Sequence, residues 1–164
     1  MIFTKFKFMK NTLLFFIAIS FMSCGTSKIV RNSKKVIKGD WLLHSIAYSE
    51  KGTYNVNLLN DASKECFEGS TWQFVPNNNT GIYNINKSSC SSGARNFVFT
   101  IQEIDTQTGL YDFLLKPTNE KYKSETNQGF RLNLTALSDV AMEWEQTVRV
   151  DGKPFTITMN FNKQ

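Results

Sequence analysis

The sequence is poor in the residues that carry most chemistry. It has one histidine, His44, and three cysteines in 164 residues. No serine or cysteine stands in a GxSxG-type nucleophile motif, and no glycine-rich phosphate loop is present. No apolar run approaches the roughly 20 residues that a bilayer-crossing helix requires, and no long amphipathic helical pattern occurs. Glu143 and Glu145 are spaced for two-carboxylate chemistry but alternate with Trp144, so they read as a solvated strand face. His44 reads as a surface or packed side chain. No catalytic residue and no cofactor are expected.

What is present begins with a leader. Lys5, Lys7 and Lys10 precede an apolar stretch from Leu13 to Met22, followed by Ser23, Cys24 and Gly25. Basic, then apolar, then small is the composition of a secretory signal. Phe21-Met22-Ser23-Cys24 resembles the lipobox of bacterial lipoproteins. The resemblance implies cleavage before Cys24, a diacylglycerol thioether on its sulfur and an acylated, palmitate-type amino terminus. The expected divisions are a signal peptide over 1–23, a lipidated basic tether over 24–38 and one domain over 39–164. The expected place is the cell envelope, anchored to the outer membrane and facing the periplasm. The tether reads mainly as a flexible solvated spacer, contact with anionic headgroups being the lesser reading.

The formal charge of +5 misleads as a guide to partners. Loss of the three leader lysines lowers it to +2. Setting aside Lys28, Arg31, Lys34, Lys35 and Lys38 leaves −3 from Gly39 onward. A mildly acidic domain lacks the basic footprint of a nucleic-acid binder. With Cys24 committed to lipid, Cys66 and Cys90 remain as a pair in an oxidising compartment, where disulfides persist. Structural zinc takes four ligands, so no metal site is expected. A turn about Asn78 would set Cys66 opposite Cys90, at the cost of pairing Trp72 with Asn84.

From Gly39 the chain reads as eight strands. Alternating bulky and polar residues mark 41–48, 71–75, 82–85, 96–103, 110–116, 130–137, 142–150 and 154–161. In the first, Trp41, Leu43, Ser45 and Ala47 share one face. In the sixth, Phe130, Leu132, Leu134 and Ala136 do. Asp151-Gly152 signals a two-residue hairpin. It sets Val148 against Phe155, Gln146 against Ile157, Trp144 against Met159 and Met142 against Phe161, so the apolar faces meet. An antiparallel meander of this kind removes its edges by closing. The expected fold is an all-β, eight-stranded up-and-down barrel. Its loops alternate in length, giving a short-looped closed end and a long-looped mouth.

Gly39-Asp40-Trp41 before the first strand of such a meander resembles the GxW motif of the lipocalin family. The mature domain looks like the lipocalin-like lipoproteins of Bacteroidota. The family's TDY turn and the arginine after its last strand have no counterpart here. The resemblance implies that Gly39 and Trp41 plug the barrel base and that a small apolar or amphipathic molecule is the ligand. The candidate lining is Phe97, Phe99, Phe130, Leu132, Trp144, Phe155, Ile157 and Met159, with Gln146 as its polar group. The same side chains can instead fill the barrel, which is just wide enough for either. A filled barrel leaves an envelope interaction or inhibitor module working through its long loops. A monomer is expected, with the membrane as its one assigned partner.

Overall fold

The computed structural model describes residues 28–103 and 111–164. In chain order the elements are helix α1 (Lys28–Ile37), β1 (Gly39–Tyr48), β2 (Asn57–Leu58), β3 (Ala62–Ser63), helix α2 (Lys64–Phe67), β4 (Thr71–Val75), β5 (Thr80–Ile85), β6 (Gly93–Glu103), β7 (Tyr111–Thr118), β8 (Phe130–Leu137), β9 (Ala141–Val150) and β10 (Lys153–Lys163). Cys24, the leader and the Asp105–Gly109 turn lie outside the described residues. β1 and β4 to β10 close an eight-stranded barrel in which each strand pairs with its neighbours in sequence and β10 returns to β1. This is the expected all-antiparallel up-and-down barrel.

The β9–β10 hairpin has the register that its alternation demands. Val148 faces Phe155, Gln146 faces Ile157, Trp144 faces Met159 and Met142 faces Phe161. Asp151 and Gly152 both take positive φ, 51° and 78°, as a two-residue hairpin loop requires. The β4–β5 hairpin differs by one residue from the register about Asn78. Trp72 pairs with Tyr83 rather than Asn84, and the two rings stack with centroids 4.4 Å apart. Aromatic burial sets this register, not the cysteines.

Two bulges alter the faces that strict alternation predicts. In β1 the register slips between Leu43 and Ser45, so the buried set is Trp41, Leu43 and Ile46, with His44 exposed and Ser45 and Ala47 turned away from the core. In β8 it slips between Leu134 and Ala136. Ala136 is exposed, whereas Leu137 packs against the core. An inserted residue flips every side chain beyond it.

The segment expected to be a flexible tether is a helix from Lys28 onward. Val30, Ser33 and Ile37 are buried on one side of α1, at the three- and seven-residue spacings of a helical stripe. Gly39, at φ 110°, provides the backbone turn from helix into strand that a side chain would oppose. Trp41 then points to the barrel base, where its indole Nε1 donates to the Ile37 carbonyl at 2.8 Å. The Lys163 ammonium lies 5.1 Å from the Trp41 ring centroid and donates to the Val36 carbonyl at 2.6 Å. A cation at the last carbonyls of a helix suits the negative end of its dipole. Helix, tryptophan and lysine together shut the short-looped end.

Candidate functional site

The lumen is occupied by rings from opposing walls. Trp72 of β4 meets Trp144 of β9 edge to face at 5.5 Å. Phe113 of β7 stacks on Trp144 at 4.6 Å, and Phe161 of β10 lies 4.7 Å from it. Phe74 reaches both Phe113 and Trp144, at 6.1 and 5.9 Å. These separations are those of direct aromatic contact, so the middle of the barrel is side chain. Of the candidate lining, Phe97, Phe99, Leu132, Trp144, Phe155, Ile157 and Met159 are buried in this core. Phe130 and Gln146 are half-buried near the mouth. Among the described residues Trp144 Nε1 is buried without a hydrogen-bond partner, as are the hydroxyls of Tyr48 and Thr118 at the mouth.

The long loop after β1 folds over the mouth as a lid made of β2, β3 and α2. Leu58, Leu59 and Phe67 join the core, and Phe67 lies 5.5 Å from Tyr83 and 6.2 Å from Trp72. Asp61 accepts from the Tyr83 hydroxyl at 2.8 Å and pairs with Arg95 at 3.0 Å. Burial, and next the Asp61 charge, push the Tyr83 phenol well above its usual range. Where β1 has left β4, the Glu68 carboxylate accepts the Ile46 backbone N–H at 2.9 Å. The disulfide Cys66–Cys90, with Cα atoms 5.9 Å apart, ties α2 to the β5–β6 loop. The expected pair is therefore bonded, but through a helix lying over the mouth and not by extension of a ladder.

An open cavity of about 470 Å³ lies on the outside of the barrel, along β6, β7 and the start of β8. Its lining includes outward Val98 and Leu114, with Phe99 and Phe130, and Lys116 and Arg131 beside them. Register brings these together: Val98 pairs with Lys116, and Leu114 lies between Thr100 and Arg131. β8 stays paired with β7 only as far as Leu115 and Phe130, which leaves room below the β7–β8 loop. The Lys116 ammonium donates to Asn127 on that loop. Arg131 pairs with Asp112 at 3.4 Å while its side chain remains 69% exposed. Among the described residues no carboxylate belongs to the lining. Such a groove can hold an apolar chain and neutralise an anionic head.

No protein-family model matches the chain, and no curated protein matches it. A solved structure does resemble it. This is a lipocalin-like protein from Bacteroides uniformis, with a TM-score of 0.47 and 9% sequence identity, covering 79% of this chain and 99% of that one.

Among the described residues no cluster of three or more metal-ligating side chains occurs. Glu143 and Glu145 lie on the outer face of β9, where Glu143 accepts a bond from the Thr135 hydroxyl at 2.7 Å. Val98, Leu114, Lys116 and Arg131 were not singled out by sequence reasoning. The available signal was the pair of apolar residues on the otherwise polar outer faces of two adjacent strands.

Proposed function

We propose that this is a lipid-anchored binding protein of the cell envelope that takes a small amphipathic anion on the side of a packed barrel. The observation that carries the reading is the 470 Å³ groove, whose lining among the described residues has two cations and no carboxylate, beside a lumen crossed by ring contacts. Its volume falls in the range of small-molecule sites. The groove presents Lys116, and Arg131 with Asp112 as its ion-pair partner, on a domain whose own balance from Gly39 is acidic. An acyl-type chain would lie on Val98, Leu114 and Phe130, its head between Lys116 and Arg131. The basic and apolar leader ending at Cys24 supports the anchor. The Cys66–Cys90 bond supports an oxidising compartment.

The test is titration of the protein with anilinonaphthalenesulfonate, an apolar anion, and its displacement by dodecanoate. Saturable binding is expected. Lys116→Glu should weaken it about tenfold, the effect of one charge pair of about 1.4 kcal/mol, and Trp144→Phe should leave affinity unchanged. Equal sensitivity to Trp144→Phe would return the ligand to the lumen. A second reading, an interaction or inhibitor module, is favoured by the packed barrel and the covalently held lid. Absence of saturable binding by any amphipathic probe would select it.

A further inference from the structure

The closed end of the barrel carries a surface that neither the groove nor the lid uses. On α1, Lys28, Arg31 and Lys35 are exposed, spaced by three and seven residues. That is the same spacing as the buried Val30, Ser33 and Ile37, displaced to the opposite side of the helix. Lys38 follows, also exposed. None of these four cations makes an ion pair among the described residues. Lys34, at the flank, is engaged by Asn79 at 2.6 Å. No acidic residue occurs from Lys28 to Lys38, and the described acids in the strand ends and turns of this end are Asp40, Glu103 and Asp139. The same end bears Val140, 70% exposed in the β8–β9 turn, and Val75, 38% exposed before the β4–β5 turn. Cations flanked by exposed aliphatic side chains match a surface with anionic headgroups above an apolar interior.

We infer that the closed end of this barrel docks flat on an anionic lipid surface, with the outer side of α1 against the headgroups and Val140 entering the interface. The inference rests on the anchor reading. Three residues lie between Cys24 and Lys28, four backbone steps with a reach of at most about 14 Å, so an anchored chain holds this end at the headgroups. An acidic protein partner would use the cations but has no need of a bare valine beside them. With the closed end down, the lid and the mouth face away from the bilayer.

The test uses the full lipidated chain in phosphatidylcholine vesicles with and without phosphatidylglycerol. A polarity-sensitive dye is attached through Val140→Cys or, at the far end, Tyr122→Cys. The dye at position 140 should shift to the blue only when phosphatidylglycerol is present, and the dye at 122 should not shift. Raising the salt should reverse the shift, as should Lys28→Gln, Arg31→Gln and Lys35→Gln together. The triple variant should still sediment with the vesicles through its lipid. In a Cys24→Ala protein, the same triple change should lower vesicle affinity by at least about tenfold. A position-140 dye that stays in water while the chain sediments overturns the docking and leaves the anchor standing. A lipid-independent shift also overturns it. If the wild-type chain fails to sediment with phosphatidylcholine vesicles, the anchor reading falls. Salt-sensitive sedimentation with phosphatidylglycerol vesicles would then still support the docking, and its absence would overturn both.

Discussion

Replacing Gly81 with alanine tests whether the barrel is solid. Gly81 lies on the inner wall of β5, paired with Phe74 on one side and Phe97 on the other. A Cβ there would stand 2.2 Å from Phe97 Cζ, 2.6 Å from Phe97 Cε2 and 2.7 Å from the Gln73 carbonyl oxygen. Ordinary carbon contacts are about 3.5–4 Å, so the ring would have to move by more than about 1 Å. Its retreat is blocked, because Trp72 and Phe74 lie 5.7 and 5.6 Å from it, centroid to centroid. The carbonyl belongs to the paired strand β4 and cannot retreat without disturbing the β4–β5 ladder. We expect a loss of about 3 kcal/mol, at the upper end of the overpacking range. Urea unfolding followed by tryptophan fluorescence measures it. Phe97→Leu alone should cost about 1–2 kcal/mol. Combined with Gly81→Ala it should cost at least about 1 kcal/mol less than the two separately, because the smaller side chain relieves the clash. If Gly81→Ala lies within about 0.5 kcal/mol of wild type, the lumen has slack, the argument for a packed barrel fails and a ligand inside it becomes the better reading.

Replacing Cys66 and Cys90 with alanine should cost about 3.5 kcal/mol in the chain-entropy account, for cysteines 24 residues apart, and amide exchange should rise first in the lid; unchanged stability and exchange would show that the lid holds itself. Lys163→Gln removes the ammonium from the Val36 carbonyl and the Trp41 ring, so α1 should exchange faster and global stability fall by about 1 kcal/mol. Because folding raises the Tyr83 pKa, its stabilising effect is intact below the unfolded value near 10 and declines as pH rises above it, by up to about 1.4 kcal/mol per pH unit. Alkaline melting curves should show that slope, and Tyr83→Phe should flatten it. Cys24→Ala should move the protein from the membrane fraction to the soluble one, and retention would remove the anchor from the account.

Most of the barrel could be read from alternation because one-sided burial has a period of two and tolerates no slip. The β9–β10 hairpin shows this best, since Trp144 and Met159 can meet inside only in one register. The features that escaped break the period. His44 and Thr135 each add one residue to a strand, and nothing in their chemistry announces it. α1 was hidden because its apolar residues divide into two pairs, Val30 with Ile37 and Ile29 with Val36, and Ser33 fills the buried stripe where a hydrophobic residue would have marked it. Whether the barrel is hollow was not legible at all. It depends on how Trp72, Trp144 and Phe113 share a volume across non-adjacent strands, and strand patterns carry faces, not volumes. The groove depends on where β8 parts from β7, which is also a three-dimensional fact.

The seam between β1 and β10 has a consequence for how the chain reaches this state. Every other wall of the barrel joins strands that are consecutive among the eight, but here Trp41 pairs with Lys163, and the intervening chain must be ordered before the contact forms. Closing so long a loop is entropically costly, which places this seam late and makes folding slow for the chain's size. Until it closes, β1 and β10 both present free edges. Two such chains can satisfy each other's edges as readily as their own. Yield on refolding should therefore fall as protein concentration rises, with strand-exchanged dimers as the first off-pathway product.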